Sequence, residues 1–192
     1  MEKIFWFFGF SFTISQLLVY VLLLVVGYII SKRLVRFIPL VGVKIGLKIV
    51  GTLIPAVLYF AIFPIYEGDI YDMSRESNST LKFPEDKSLT VVALPNCPYC
   101  VQSIELLNKL VKHKSKDVSV HYWILGSAID DSLKYRKLLD KNIQIKRISM
   151  DTSILYLTEG AYPTFVLSEQ GKAVCAWDNN GFGIRAWDRA LK

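Results

Sequence analysis

Apolar residues run almost unbroken over residues 4–30, with Gln16 the one strongly polar side chain. A second apolar run covers residues 49–66, with Pro55 and Pro64 inside it or near its end. About 20 such residues span a bilayer, so each run predicts a membrane-spanning helix, the first with length to spare for tilt. Trp6 and Tyr28 lie near the ends of the first run, where aromatic rings favour the membrane interface. That run is too long for the apolar core of a cleaved signal peptide, and basic residues follow it instead of an A-x-A-like site. Proline in a spanning helix is tolerated where neighbours satisfy the freed carbonyls, so a second span is expected in preference to a re-entrant hairpin. Residues 37–47 are apolar apart from Lys44 and contain Pro39, Gly42 and Gly46. They lie in the interface or extend the second span, and the pattern does not choose.

Residues 67–87 break the apolar pattern with Gly68, a polar Ser74-Arg75-Glu76-Ser77-Asn78-Ser79-Thr80 cluster and Pro84-Glu85-Asp86. This composition predicts a linker. Asn78-Ser79-Thr80 also has the form of a glycosylation sequon, a triplet that arises often by chance. Short alternating runs follow. Leu89-Thr90-Val91-Val92-Ala93-Leu94 reads as a strand, and residues 98–113 as a helix with Val101, Ile104, Leu107 and Val111 on one face. Residues 118–125 read as a strand, 127–139 as a helix, 143–148 as a strand and 151–157 as a short helix. Thr164-Phe165-Val166-Leu167 and Ala173-Val174-Cys175-Ala176-Trp177 flank a hairpin-turn signal, Glu169-Gln170-Gly171-Lys172. A last helix covers residues 183–191. Alternating β and α units, then a hairpin and a helix, predict an α/β domain of about 100 residues on one mixed sheet flanked by helices.

Composition sharpens this division. The 192 residues are 52% hydrophobic and 21% charged, with a mean hydropathy of +0.34, and the apolar excess lies before residue 67. Residues 1–66 hold six cations and one anion, residues 67–87 three and six, and residues 88–192 fourteen and ten. Lys32, Arg33, Arg36, Lys44 and Lys48 lie between the two apolar runs with no acid among them. The positive-inside rule places this loop in the cytoplasm and both ends of the chain outside. Attraction of the five cations to anionic lipid headgroups points to the same side. The expected location is the plasma (inner) membrane, multi-pass, with the C-terminal domain extracytoplasmic. No basic run is interleaved with aromatics, so nucleic acid is not an expected partner.

The candidate chemistry is Cys97-Pro98-Tyr99-Cys100, set between a strand and a helix. That context puts Cys97 at a helix N-terminus, where amide protons and the helix dipole stabilise a thiolate. The thiolate is the form that attacks disulfides. Zinc is the chemical competitor for C-x-x-C, but structural zinc needs four ligands. Cys175, His113 and His121 stand at no standard spacing from the pair, so no metal is expected. Haem attachment would need a His where Val101 stands. No cofactor motif is visible. Cys175 reads as a buried core thiol, His113 as a helix-end residue, His121 as packing, and Trp123, Trp177 and Trp187 as core or groove wall.

Residues 88–192 resemble a thioredoxin-like domain. C-P-Y-C is the motif typical of glutaredoxins, and Ala161-Tyr162-Pro163-Thr164-Phe165-Val166-Leu167 resembles the stretch around the fold's cis-proline. The resemblance implies roles. Cys97 would be the attacking thiol and Cys100 the resolving one, and Pro98 and Tyr99, with Tyr162 and Pro163, would bind substrate. Pro163 would be the cis-proline, and Tyr162 would offer backbone to a bound substrate. Two positions depart from thioredoxin: Asn96 stands where a Trp precedes the first Cys, and Val91 where a buried acid assists the resolving thiol.

The expected function is that of a membrane-anchored, extracytoplasmic thiol–disulfide oxidoreductase exchanging disulfides with client proteins through Cys97 and Cys100. The alternatives are a structural disulfide without turnover and a non-enzymatic subunit of a larger membrane complex that uses the fold for docking or assembly. Neither span contains cysteine, and no quinone or flavin motif is visible. A turning-over dithiol would therefore need a separate membrane redox partner.

Overall fold

Local signals start and stop the elements much as expected. A computed structural model describes residues 11–37, 41–63, 65, 67–77, 79–126 and 129–192. Expectations for Trp6, Pro39, Pro64, the Asn78 sequon and the helix start at residues 127–128 lie outside them. The chain divides into two units, residues 1–66 and 67–192.

In the first unit Ser11 caps helix α1 (Phe12–Leu34), its side chain accepting from the Ile14 amide at 3.2 Å. A 3-10 turn (Val35–Phe37) and helix α2 (Val41–Ile62) follow. At 1.5 Å per residue each helix is roughly 33 Å long, and both are long and apolar enough to cross a membrane. Small residues let their backbones approach. A Cβ on Gly27 would stand 2.5 Å from the Thr52 carbonyl oxygen, and one on Gly51 3.0 Å from the Ser31 Cβ. Ser31 and Thr52 join hydroxyls at 3.2 Å. The second helix takes one of the two readings of residues 37–47, from Val41 on, and stops before the end of the apolar run. It begins at Val41 and stops at Ile62, so residues 41–47 belong to it, and it runs unbroken through Pro55.

The second unit is a six-stranded mixed sheet flanked by helices, the thioredoxin-like arrangement. Its elements are helix α3 (Glu67–Ile70), strands β1 (Arg75–Glu76) and β2 (Ser88–Ala93), helix α4 (Pro98–Val111), strand β3 (Ser119–Leu125) and helix α5 (Ile129–Leu138). Strand β4 (Gln144–Ile148), helix α6 (Thr152–Thr158), strands β5 (Thr164–Glu169) and β6 (Lys172–Trp177) and helix α7 (Ile184–Leu191) complete it. The sheet order is β1-β6-β5-β2-β3-β4. β2, β3 and β4 run parallel, while β5, β6 and β1 alternate in direction. β2 lies in the middle and is buried throughout. Gln170 and Gly171 adopt φ of 52° and 76°, the left-handed pair that a two-residue hairpin between β5 and β6 requires. On one sheet face Val92, Trp123, Val166 and Ala176 pack with Ile154 and Leu157 of α6. The opposite face buries Val91, Tyr122, Phe165 and Trp177.

Residues 67–87 are not a linker. Gly68 packs so closely on the loop before α7 that a Cβ there would stand 2.9 Å from the carbonyl oxygens of Asn180 and Gly181. The Asp69 carboxylate accepts from the Ile184 amide at 2.9 Å, supplying the cap that Gly183 at the N-cap position cannot. β1 pairs with β6, and Phe83 stacks on Trp123 at 5.0 Å. The Asp72 carboxylate accepts from the buried Trp177 Nε1 at 2.8 Å, the Ser74 amide at 3.1 Å and Arg189 Nη1 at 2.8 Å. Partial burial pushes this carboxyl up, but those hydrogen bonds outweigh it and hold it below the usual aspartate value. The polar composition read as solvation is here a set of anchors.

Asp72→Ala is expected to destabilise the domain by about 1–3 kcal/mol, because Trp177 Nε1 loses its acceptor while staying buried. A lowered pKa means that the Asp72 contribution is present above the ordinary value of 3.8 and is lost as pH falls through the folded-state value. Thermal unfolding of Asp72→Asn against the parent between pH 3 and 7 should therefore show a difference that shrinks towards acid. A pH-independent difference would contradict the assignment.

Candidate active site

The dithiol is built by the exit from the central strand. β2 ends at Ala93, Leu94 follows, and the chain turns at Pro95 and Asn96 before entering α4. Asn96 sits at φ 55°, the left-handed region that Asn tolerates and bulky side chains avoid. This turn explains why an aromatic residue is absent from the position before Cys97.

Cys97 is the N-cap of α4, with extended backbone at φ −74° and ψ 119°, and its sulphur accepts from the Cys100 amide at 3.2 Å. An amide proton aimed at Sγ is the donor a thiolate accepts. Pro98 takes the first helical position, where no amide proton is needed. Cys97 is half-buried and Pro98 and Tyr99 are exposed, whereas Cys100 has no exposed surface. Burial, with Cys97 beside it, pushes the Cys100 thiol up to about 12, against an opposing backbone hydrogen bond at Leu94. The two sulphurs thus differ in access: Cys97 is partly exposed and Cys100 is buried.

Tyr162–Pro163 is a cis peptide. The β2–β5 register sets Val92 opposite Thr164, so Pro163 and the dithiol loop leave the sheet at the same end. Tyr162 is half-buried and packs against the core cluster, its phenol oxygen accepting from Thr158 Oγ1 at 3.2 Å. Chain-local geometry groups Cys97, Pro98, Tyr99 and Cys100, and strand pairing adds Tyr162 and Pro163.

Val91 is fully buried and brings no acid to Cys100. Cys175 lies in β6 between β1 and β5 and is buried. Burial pushes its thiol up to about 11, with Arg189 pulling it down and Asp72 pushing it up. His121 pairs with Ser119 at 3.0 Å, and burial foremost, then Lys146, lowers its pKa. Among the described residues no group of three or more His, Cys, Asp and Glu is arranged to hold a metal. Trp123 and Trp177 are buried, and Trp187 donates to the Phe182 carbonyl at 2.9 Å. Three groups near the dithiol escaped the sequence reading: Tyr122, Ser103 and Tyr135, whose hydroxyls donate to carbonyls of the dithiol segment. Tyr122 could be found only from strand register, and Tyr135 carries no local signal.

No protein-family model and no curated protein matches the chain. Solved structures do. A secreted Mycobacterium tuberculosis disulfide oxidoreductase homologous to E. coli DsbE is 10% identical, over 56% of this chain and 81% of its own, with a TM-score of 0.45. StoA from Bacillus subtilis is 14% identical, over 64% and 98%, with a TM-score of 0.41. Apo Sco1 from Thermus thermophilus is 13% identical, over 62% and 88%, with a TM-score of 0.41. The thioredoxin-like fold of this chain rests on its own strand order, on C-x-x-C at a helix start and on the cis-proline.

At pH 7–8 an alkylating reagent should modify Cys97 in the reduced protein while Cys100 and Cys175 stay unmodified until unfolding, as read by peptide mass mapping. Both buried thiols have raised pKa values, so their contribution to stability is complete below the ordinary value of 9.0 and declines as pH rises towards about 11 and about 12. Equal labelling of all three cysteines in the folded protein would contradict this arrangement.

Proposed function

We propose that the chain is a membrane-anchored thiol–disulfide oxidoreductase whose domain works on the extracytoplasmic side. The observation that carries the reading is the pairing of an accessible N-cap sulphur, Cys97, with a fully buried Cys100 one turn into the same helix. In the reducing direction the Cys97 thiolate attacks one sulphur of a client disulfide. An S–S bond forms between Cys97 and the client, the client S–S bond breaks, and its second sulphur leaves as a thiolate that takes a proton. Cys100 then loses its proton and attacks Cys97 Sγ. The Cys97–Cys100 disulfide forms as the Cys97–client S–S bond breaks, the client's first sulphur leaves as a thiolate that takes the proton Cys100 released, and the client departs reduced by two electrons. Run backwards, the same steps oxidise a client dithiol.

Pro98, Tyr99, Tyr162 and Pro163 are the proposed client-facing residues, because they lie with the dithiol at one end of the sheet. The two apolar helices support a membrane anchor. Lys32, Arg33, Arg36, Lys44 and Lys48 line one hollow of about 620 Å³ with Tyr28, Ile29 and Val35, which keeps the positive charge together at one end of the helix pair. That clustering supports a cytoplasmic loop next to anionic lipid. The cysteines of the chain are Cys97, Cys100 and Cys175, so a separate membrane redox partner would reset the pair. A second reading, a docking subunit with an inert pair, is kept by Val91, which brings no acid to the buried Cys100.

Cys100→Ala should accumulate mixed disulfides between Cys97 and client proteins in cells, and Cys97→Ala/Cys100→Ala should not. Redox titration should place the dithiol at about −230 to −180 mV, between glutaredoxins and protein disulfide isomerase. A pair still closed below about −300 mV, with no trapped clients, would point to a structural bridge without turnover and overturn the exchange reading.

Topology has its own test. Nothing lies within 4 Å of a Cβ added at Gly42, so Gly42→Cys should be tolerated. With Cys97→Ala/Cys100→Ala as the background, which leaves only the buried Cys175, an impermeant thiol reagent on intact cells should label Lys192→Cys and spare Gly42→Cys. The opposite pattern would reverse the orientation.

A further inference from the structure

The Cys100 sulphur has no carboxylate from the position where thioredoxins supply one, because Val91 fills it. The polar side chains that hold the dithiol segment come from β3, from α5 and from α4 itself. The β2–β3 register sets Tyr122 directly beside Val91. Tyr122 is fully buried and its hydroxyl donates to the Cys100 carbonyl at 3.0 Å. Ser103 Oγ donates to the same carbonyl at 2.9 Å. Tyr135, fully buried on α5, packs its ring 5.5 Å from that of Tyr122 and donates its hydroxyl to the Leu94 carbonyl at 3.0 Å. Leu94 and Cys100 bracket the turn and helix start that carry Cys97. Two packed phenols therefore fasten both ends of the dithiol segment, one from the neighbouring strand and one from the following helix.

We infer that Tyr122 and Tyr135 are positioning residues that set the dithiol–disulfide equilibrium of Cys97 and Cys100. The functional weight of this assignment rests on the exchange reading above. The physical argument is proximity. A disulfide closes in proportion to the effective concentration of one thiol at the other, so any freedom given to either end of residues 94–100 favours the open dithiol. Burial foremost, then the nearby Cys100 and Tyr135, holds the Tyr122 phenol in its protonated form. It therefore acts as a fixed donor and not as the base that an acid at position 91 would have been. Lys134, the residue before Tyr135 on α5, donates to the Asn96 side chain at 3.3 Å, so the same helix reaches the turn from outside as well.

Tyr122→Phe and Tyr135→Phe remove one hydroxyl each and leave the ring packing in place. In full-length protein purified in detergent, redox titration read by alkylation mass shift should find the equilibrium moved towards the dithiol by about three- to tenfold for each variant, the range for losing one hydrogen bond. The double variant should move by about tenfold or more, about 30 mV towards more oxidising for this two-electron couple. Tyr156→Phe, at an exposed site, should not move it. Melting temperatures are measured on the same samples. A fall in melting temperature with the equilibrium within twofold of the parent would make the tyrosines merely structural and overturn the inference. If the double variant does not fold, the single variants and Ser103→Ala, which removes the other donor to the Cys100 carbonyl, decide on the same criterion. A parent pair that opens only at potentials typical of structural bridges would overturn the exchange reading, while the ratio of variant to parent still judges the tyrosines.

Discussion

The hydrogen bond from the Cys100 amide to the Cys97 sulphur is the interaction around which the second unit is arranged. It makes a cysteine the cap of α4, so the same atom that satisfies a helix end is the atom presented to solvent. One turn further in, Cys100 faces the sheet and loses all exposure. The difference between the two sulphurs follows from 3.6 residues per turn and from which side of the helix meets the core. β2 delivers this helix start, the left-handed Asn96 turns it, and Pro163 lies at the same end of the sheet.

A helix start is only as well placed as the sheet behind it, and that sheet is closed at its edge by residues 67–87. Asp69 caps α7, whose own N-cap residue is a glycine without a side chain. Asp72 satisfies the indole of Trp177, which lies on the sheet face that also buries Phe165 and Phe182. β1 covers β6, so Cys175 sits between two strands and not on an open edge. Residues 67–87 therefore belong to the second unit.

The first unit obeys different physics. α1 and α2 meet through Gly27, Gly51, Ser31 and Thr52, where close backbone approach and a hydroxyl pair replace the large apolar side chains of a soluble core. Phe12 and Val19 are buried, but many of the large side chains stay exposed, among them Leu17, Val25, Leu53 and Val57. An outward apolar surface and an inward small one are what a lipid solvent calls for.

The sequence by itself determined the features that depend on neighbours along the chain. Apolar length set two candidate spans, alternation set the strands, and Cys97-Pro98 at a strand-to-helix junction set the candidate chemistry. The Gln170-Gly171 pair set the hairpin. Tertiary structure decided what depends on partners far apart in sequence. Asp72 and Trp177 are separated by 105 positions, so the segment that composition marked as a linker became part of the domain only once β6 was in place. The same holds at the site. Val91 announced a missing acid, but only the pairing of β2 with β3 showed that Tyr122 stands beside it, and only the packing of α5 brought in Tyr135. Periodicity records which side of an element is buried. It does not record which buried hydroxyl will find which carbonyl, because that is fixed by strand register and helix docking after the elements have formed.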